Sequence, residues 1–304
     1  MFPTKSILVC TDLTERCEPA LTAASDLALR TGARLHVLHA FELRQNPYVY
    51  RSDARHAFQA LIEEARAGLT EQLKRTISRQ LEIASVTTEV FLPWKSIVRR
   101  AAAVKADVII MGPHEHVTGD RFLGSTADRV VRFAKAPTLI IRRGTGFDVK
   151  TMVLAIDGSP ATSGAWTEAV AWADGLHRVC ADFSTLHVIV SASEWVERMA
   201  AAELVGSAVR EAESELTPGV NVCGSVIGNE DPADAIRDYV DEVRAQLLVL
   251  ASNGHSAVDR LLNGSVTSTL AAHVGAALLI VPYRRPDTVR AADMLELRMP
   301  LALV

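Results

Sequence analysis

The sequence predicts an α/β protein built from two tandem, doubly wound domains, each with a five-stranded parallel sheet. The 304 residues correspond to two domains at about 150 residues each. Short, continuous apolar runs alternate with helical patterns along most of the chain, and such runs are typical of strands that helices cover on both faces. The third observation is that the whole alternation occurs twice.

The two halves are collinear copies of each other. Similar segments follow in the same order, and their offset drifts only slightly because the loops differ in length. Chance could account for one such match but not for four in order, so the chain is a tandem duplication. The matched pairs are residues 6–12 with 151–157, 105–112 with 244–251, 124–125 with 264–265, and 136–141 with 276–281.

Each half contains the elements of one doubly wound unit. The helical segments carry apolar residues at spacings of three and four. In the first half, strands are predicted at residues 7–10, 35–41, 87–92, 108–111 and 138–141, and helices at 18–31, 54–80, 95–105 and 124–134. In the second half, strands are predicted at residues 152–156, 185–190, 220–227, 247–251 and 278–281, and helices at 162–175, 194–216, 232–243 and 264–273.

These elements place the first domain at residues 1–143 and the second at 149–283. The connector between them is punctuated by glycine and has no apolar pattern. Residues 284–304 form a C-terminal extension outside the repeat, in which residues 293–297 predict a short docking helix. Because the chain contains two similar sheets, we expect its halves to pair as a pseudo-dimer within the chain.

Composition excludes several classes of protein. Apolar residues make up 49% and charged residues 22%, which fits packed cores, and a net charge of −4 does not fit a non-specific nucleic-acid binder. The charge is unevenly divided: residues 1–146 have 21 basic and 15 acidic side chains, whereas residues 147–304 have 11 and 21. We interpret the charged residues as lying on solvated helix faces, with some attraction between the basic first half and the acidic second half.

The four cysteines form no C-x-x-C pair, so they are expected to be free thiols in a reducing compartment. The sequence shows no secretory leader pattern and no apolar run of membrane length. These observations together predict a cytoplasmic protein. The sequence also lacks the motifs of a phosphate loop, a metalloprotease and a nucleophile elbow, which argues against those enzyme classes.

The turn after the fourth strand of the second half is the most informative segment. It contains Gly254, then nine residues, then Gly264, Ser265 and Val266 at the start of a helix. Glycines let backbone amides approach a phosphate, and a helix N-terminus adds unpaired N–H groups and a positive dipole end. The alternative interpretation is that these residues are ordinary turn and cap residues.

Several motifs together resemble the universal stress protein family in its tandem form. The first strand ends in aspartate, the loop after strand four contains glycines, and a Gly-Ser pair opens the following helix. The family pattern is G-x-x-G, nine residues, then G-[S/T]. The resemblance covers nearly the whole chain except its C-terminal extension. It implies an adenine-nucleotide α-hydrolase-like, Rossmann-like fold whose motif-bearing members bind ATP or AMP. It also implies that the last strands, residues 138–141 and 278–281, lie at the interface between the halves, which would cover two apolar edges.

The resemblance assigns roles to residues of the second half. Asp157 is similar to the family's adenine contact, and Val188 to its apolar contact after strand two. Ala251 stands where the pattern has its first glycine, and one methyl group is tolerable there if the residue has negative φ. Mg²⁺ would accompany the nucleotide. The residues that resemble the ribose and phosphate cradle are Gly254, Gly264, Ser265 and Val266.

The first half departs further from the family pattern. It retains Asp12 and Gly112, but Glu115 occupies the second glycine position and only eight residues separate it from Gly124. A carboxylate in a phosphate pocket repels the ligand, and Pro113 removes one N–H donor. We therefore expect the first site to be degraded and at most one nucleotide to bind per chain.

Other candidate residues favour structural roles. His114, Glu115 and His116 have metal-ligating side chains, but a metal site needs further ligands and the sequence spacing indicates none. A solvated loop is therefore expected, and no metal is predicted. His36 and His39 are interpreted as core or boundary residues. Cys10 could be redox-sensitive, although a buried, inert thiol fits better. Three of the four tryptophans are read as packing residues: Trp94, Trp166 and Trp172.

The function predicted from these features is a stress-response protein that binds an adenine nucleotide in its second domain. It would act by regulation or protection rather than by dedicated catalysis, and no catalytic residue is assigned. Two alternatives remain open at this point: a nucleotide-free interaction scaffold and a slow ATPase. The expected partners are the nucleotide and a homodimer partner, with no nucleic acid and no membrane; client proteins are not predicted.

Overall fold

The computed structural model describes residues 2–42, 54–112, 124–142, 147–192, 195–228, 231–252 and 266–283. Its first half begins with β1 (Ser6–Thr11), a short 3₁₀ turn (Glu15–Cys17), α1 (Glu18–Thr31) and β2 (Arg34–Phe41). The remaining elements of this half are α2 (Ala54–Thr76), β3 (Ile83–Val90), α3 (Pro93–Ala103), β4 (Val108–Met111), α4 (Ser125–Phe133) and β5 (Thr138–Ile140).

The second half repeats the same order of elements. It contains β6 (Thr151–Ile156), α5 (Pro160–Val179), β7 (Thr185–Ser191), α6 (Trp195–Glu215) and β8 (Asn221–Ile227). It ends with α7 (Pro232–Glu242), β9 (Leu247–Ala251), α8 (Val266–His273) and β10 (Ala277–Val281). The predicted duplication is therefore visible element by element, while the extension after residue 283, including the helix predicted at 293–297, lies outside the described residues.

All ten strands form one continuous sheet in the order β3-β2-β1-β4-β5-β10-β9-β6-β7-β8. Neighbouring strands are parallel within each half. At the centre, β5 and β10 are antiparallel, with Leu139 opposite Leu279. The expectation that the last strands face each other is confirmed, and the two five-stranded sheets merge into a single one.

Helices cover both faces of the sheet, as the continuous apolar strands predict. Helices α1, α2, α5 and α6 pack on one face, and their core contains the fully buried Trp172. Helices α3, α4, α7 and α8 pack on the other face around Ile109 and Leu248. Because corresponding helices share a face and β5 is antiparallel to β10, the pseudo-two-fold axis is perpendicular to the sheet.

Aromatic packing joins the N-terminus and the connector to the second half. Phe2 and Phe147 both meet Trp172 edge-on, with ring centroids 5.3 Å and 6.0 Å away. The backbone N–H of Phe147 donates to the Asp26 carboxylate of α1 at 2.9 Å. Residues of both halves thus fix the start of the second domain against α1 and α5.

Candidate functional site

The predicted site lies at the carboxyl edge of β6 and β9. These strands are parallel neighbours, so the segments that follow them, Asp157 and Ser252, leave the sheet at the same edge. Helix α5 leaves β6 toward one face of the sheet, whereas α8 follows β9 on the other face. The edge is therefore a topological switch point, where open α/β sheets bind their ligands.

Asp157 is held in a fixed orientation by the turn that follows it. Its Oδ1 atom accepts a hydrogen bond from the Thr162 hydroxyl at 2.6 Å and another from the Ser159 backbone N–H at 2.9 Å. Gly158 has φ +71°, which glycine adopts without strain, and its conformation lets the chain turn back toward the carboxylate. The exposed carboxylate is thus orientated before any ligand arrives.

The first half contains the same arrangement around Asp12. Its Oδ1 atom accepts hydrogen bonds from the Thr14 backbone N–H at 2.9 Å and from the Cys17 thiol at 3.1 Å. Cys17 therefore takes the place of Thr162 in the duplicated turn. The Thr14 hydroxyl adds a third bond to the same oxygen at 2.6 Å.

The two halves differ in how closely this turn approaches the end of the fourth strand. A Cβ atom on Gly112 would lie 3.0 Å from Cys17 Cα and Sγ, so the first turn packs directly on the glycine. The matching residue of the second half, Ala251, has that Cβ atom and is half-buried. Positive φ occurs, among the described non-glycine residues, at Leu13, Lys105 and Arg244, so Ala251 has the φ that an alanine tolerates.

Gln72 of α2 adds a further restraint in the first half that the sequence did not predict. Its buried side chain lies over the loop after β1, where it accepts a hydrogen bond from the Thr11 hydroxyl at 2.7 Å and donates to the Thr14 carbonyl at 3.0 Å. A polar residue among apolar α2 positions was the available signal. The Gln72 contacts tie the first turn to α2.

The structure describes only part of the predicted phosphate cradle. Val266 is the first residue of α8 and is half-buried against the core of that face. Gly254, Gly264 and Ser265 lie outside the described residues, as do Pro113, His114, Glu115 and His116 of the first half. The matching glycine of the first half, Gly124, precedes α4 with φ +85°.

Val188 is not brought to this edge. It lies in the middle of β7 between Leu154 and Gly224, and its side chain is fully buried. The same face of β7 reaches the edge two residues later, at Val190, because side chains alternate between faces along a strand. At the carboxyl end of β7 this face carries Val190, which lies opposite Ile156 of β6.

Ser252 links the end of β9 to the end of β10. Its backbone N–H donates to the Val281 carbonyl at 2.8 Å, and its hydroxyl accepts from the Tyr283 N–H at 3.1 Å. A cavity of about 230 Å³ lies beside these residues, between α5 and the centre of the sheet. It is lined by Pro137, Gly164, Thr167, Glu168, Val281, Pro282 and Tyr283.

A family model, the universal stress protein family, matches the chain twice, over residues 3–142 and 148–282. The chain belongs to the universal stress protein family. Two curated relatives each align with slightly less than half of the chain. A universal stress protein of Thermus aquaticus, from the QAH/OAS sulfhydrylase 3′ region, is 29% identical over 144 residues, covering 45% of this chain and 98% of the relative. Universal stress protein A homolog 1 of Coxiella burnetii is 27% identical over 145 residues, covering 45% and 95%.

Solved structures of tandem length share the fold. A universal stress protein from Archaeoglobus fulgidus superposes with a TM-score of 0.68 at 19% identity, covering 93% of this chain and all of that chain. A protein of Pseudomonas aeruginosa UCBPP-PA14 that is assigned to the same family superposes with a TM-score of 0.54 at 18% identity. The match covers 92% of this chain and 94% of that chain. At these identities the likeness establishes the fold.

Two buried thiols of this universal stress protein are poor nucleophiles. Burial, with Cys17 nearby, raises the pKa of Cys10 far above its usual value. Burial and the neighbouring Asp12 carboxylate raise the pKa of Cys17 to about 12. Because the thiolate is the reactive form, both residues are inert near neutral pH, and the redox interpretation of Cys10 is not supported.

His36 and His39 are buried in β2, as predicted. His36 Nδ1 contacts the Ser85 hydroxyl at 2.7 Å, and Arg100 Nη2 donates to the same hydroxyl at 2.7 Å. Burial, followed by the charges of Arg100 and Arg34, lowers the pKa of His36. This cluster between β2, β3 and α3 was not predicted, because its members are far apart in sequence.

Two searches of the described residues give negative results. Within them, no group of three or more His, Cys, Asp or Glu side chains could hold a metal ion. The helices of this part of the chain include none that is long and apolar enough to cross a membrane.

Proposed function

We propose that this universal stress protein binds one adenine nucleotide, ATP or AMP, at the carboxyl edge of β6 and β9 in its second half. It would act in the stress response by regulation or protection, without dedicated catalysis. The observation that carries the proposal is the orientation of Asp157, whose Oδ1 atom is held by Thr162 and Ser159 at the switch point of the sheet.

The chemistry of this edge fits a nucleotide. Asp157 offers a fixed acceptor for the exocyclic amine of adenine, and Val190 offers an apolar side chain on the neighbouring strand. The N-terminus of α8, which begins at Val266, supplies N–H groups and a positive dipole end for phosphate. Gly254, Gly264 and Ser265 would complete the phosphate cradle, and Mg²⁺ would enter with the phosphates of ATP.

We assign no nucleotide to the first half. There Cys17, in the loop after β1, packs on Gly112, and Gln72 of α2 holds the same loop by a hydrogen bond. These contacts support the view that the loop fills the carboxyl edge of β1 and β4, where a nucleotide would otherwise bind. Glu115 adds a negative charge where the family pattern has glycine. Repulsion between that carboxylate and a phosphate opposes binding.

The duplicated aspartates provide a matched pair of variants. We expect Asp157→Ala to weaken ATP or AMP binding at least tenfold in titration calorimetry, because the orientated acceptor is lost. Asp12→Ala should leave the affinity within twofold of wild type, although it removes the same hydrogen bonds from the turn. A greater loss in Asp12→Ala than in Asp157→Ala would place the site in the first half and contradict the proposal.

A second pair of measurements tests the phosphate end. Gly254→Glu should abolish binding by placing a carboxylate in the cradle, as Glu115 does in the first half. Wild type should bind a single equivalent of nucleotide, and two equivalent sites would contradict the proposal. No measurable binding to wild type would favour the alternative, a nucleotide-free scaffold, which is consistent with the methyl group that Ala251 adds at the first glycine position.

The proposed compartment is the cytoplasm. Cys10, Cys17, Cys180 and Cys223 are all free. Free thiols fit a reducing environment, where they do not form disulfides.

A further inference from the structure

Helices α3 and α7 occupy equivalent places in the two halves but carry opposite charges. Both contain eleven residues, begin with proline and lie on the same face of the sheet. The exposed basic residues Lys95 and Arg99 of α3 correspond to Asp234 and Asp238 of α7 at an offset of 139 residues. α3 contains no acidic residue, whereas α7 adds Asp241 and Glu242. The basic residue of α7, Arg237, forms ion pairs with Asp234 and Asp238, so α7 keeps a net negative charge.

An aromatic patch accompanies the basic helix. We define it as Phe91, Trp94 and Phe133, of which Phe91 is 44% and Phe133 57% exposed. The Trp94 and Phe133 rings are 5.1 Å apart between centroids. Cations lie over two of the rings, with Lys95 Nζ and Arg129 Cζ 5.4 Å and 5.7 Å from Trp94, and Arg99 Cζ 5.6 Å from Phe91.

This combination of residues is typical of a protein interface. Aromatic and arginine side chains are enriched in interface centres, and exposed aromatic clusters are uncommon on surfaces that only meet solvent. The equivalent surface of the second half has Ala233 in place of Trp94 and His273 in place of Phe133. The basic positions of α3 therefore correspond to acidic positions of α7, and two aromatic positions of the patch correspond to an alanine and a histidine.

The pseudo-two-fold axis perpendicular to the sheet makes this face self-complementary. The helices lie across it in the order α3, α4, α8, α7, since α3 packs on α4 and α7 packs on α8. Two copies placed face to face about an axis along the strands bring α3 of each onto α7 of the other. An axis across the strands would instead place α3 on α3 and α7 on α7, which repel.

We propose that this universal stress protein forms a symmetric dimer through the α3–α4–α8–α7 face. The occupant of the aromatic patch and basic α3 is the acidic α7 of a second copy, and the contact occurs twice because the interface is isologous. Charge complementarity selects this register over the alternative one. The inference does not rest on nucleotide binding, because the residues that carry it are Phe91 and members of α3, α4 and α7, whereas the proposed nucleotide site uses Asp157 and the N-terminus of α8.

Sedimentation velocity of the full chain tests the assembly. At concentrations up to about 0.1 mM and low salt we expect a dimer, which dissociates as the ionic strength is raised to about 0.5 M because exposed charges are then screened. Phe133→Ser should weaken the dimer at least fivefold. The matched control is Arg66→Glu on α2, an equally exposed residue on the opposite face, which should leave the assembly unchanged.

Charge reversal distinguishes this register from other modes of association. Lys95→Glu with Arg99→Glu gives a chain whose two helices are both acidic, and Asp234→Lys with Asp238→Lys gives one whose two helices are both basic. Each variant alone should be monomeric. Their mixture should form a heterodimer of wild-type affinity, because both contacts then pair opposite charges, and this recovery also shows that the variants are folded.

Three results would overturn the proposal. Wild type could remain monomeric at low salt, the dimer could persist in both charge-reversed variants, or their mixture could fail to associate. A monomeric wild type that instead bound a single-stranded oligonucleotide, with loss of binding in Lys95→Glu/Arg99→Glu, would assign the patch to nucleic acid and equally contradict the dimer.

Discussion

Leu139 of β5 and Leu279 of β10 lie directly opposite each other in the antiparallel pair that joins the two halves, and neither side chain is exposed to solvent. Thr138 and Ile280 form the next pair, and Ile140 and Leu278 the pair on the other side. An edge strand with such apolar residues would be an aggregation hazard in an isolated domain. Each half therefore covers the exposed edge of the other.

Residues 1–142 and 147–304, produced as separate chains, should associate when mixed. The apolar edges of β5 and β10 supply the driving force, and gel filtration with light scattering would show a one-to-one complex. Leu279→Lys should prevent the association by burying a charge opposite Leu139. Met199→Lys, at a position that is 60% exposed on α6, is the control and should not affect it. Two monodisperse fragments without mutual affinity would contradict this prediction.

Trp172→Ala should lower the free energy of unfolding by about 3–5 kcal/mol, because it leaves a large cavity in a rigid core. The ring is fully buried against Phe2 and Phe147, and its Nε1 donates to Glu168 at 2.9 Å. Urea denaturation followed by circular dichroism gives the value. Phe2→Ala tests the contact from the N-terminus and should cost less. A loss under about 1 kcal/mol for Trp172→Ala would contradict the observed packing.

Thr162→Val should weaken nucleotide binding at the proposed site while the fold is retained. The substitution keeps the shape of the side chain but removes the donor to Asp157 Oδ1, at a cost of about 1 kcal/mol in stability. Calorimetric titration with ATP measures the affinity. Cys17→Ala removes the corresponding donor to Asp12 and should not change the affinity. Equal effects of the two substitutions would show that the turn does not act through Asp157.

Stability should fall as the pH is lowered below about 6.5, the usual pKa of histidine. The pKa of His36 is lowered in the folded protein by burial, then by Arg100 and Arg34. The unfolded chain therefore binds a proton that the folded chain does not, and the loss of stability continues until the pH reaches the lowered pKa. Thermal unfolding between pH 8 and 5 measures the effect. In His36→Gln, stability should change less steeply with pH. An unchanged slope would show that other titratable groups cause the pH dependence.

Gly124→Ala should destabilise the first half by about 1–3 kcal/mol, because φ is +85° at this residue and an alanine there is strained. Gly164→Ala provides the opposite case. Gly164 lies within α5 and a Cβ atom there would meet nothing within 4 Å, so the substitution should stabilise by about 0.4–1 kcal/mol. Chemical denaturation of both variants would compare them. If the two substitutions changed the free energy of unfolding by the same amount, the predicted effect of backbone conformation would be contradicted.

Much of the fold could be predicted from the sequence where a strand or helix is buried and apolar. The predictions for α1, β4 and β9 coincide with their observed bounds. β3 was predicted at residues 87–92 but lies at Ile83–Val90. It is an edge strand in which Ala84 and Val86 are exposed and three residues carry hydroxyl groups, so it lacks the continuous apolar run on which the prediction relied.

Less of the candidate site could be predicted, because its geometry depends on register and on loops. The resemblance assigned Asp157, at the end of an apolar strand, as the adenine contact, and this assignment stays a prediction. Thr162, five residues later, was not assigned, although its hydroxyl donates to Asp157. Val188 was assigned to the site through the resemblance; the structure places it in the middle of β7, with Val190 on the same face two residues nearer the edge. Gln72 approaches the loop after β1 from another helix, a contact that no local pattern indicates.

The covalent connection between the halves changes what mutation can do to this assembly. In a dimer of identical single domains, every substitution appears on both sides of the symmetry axis, so one domain cannot become basic while its neighbour becomes acidic. Here both domains belong to one chain, so a substitution changes one domain and leaves the other as it was. After the duplication the sequences of the two domains could therefore diverge, while the pairing of β5 with β10 kept the domains in the geometry of a dimer.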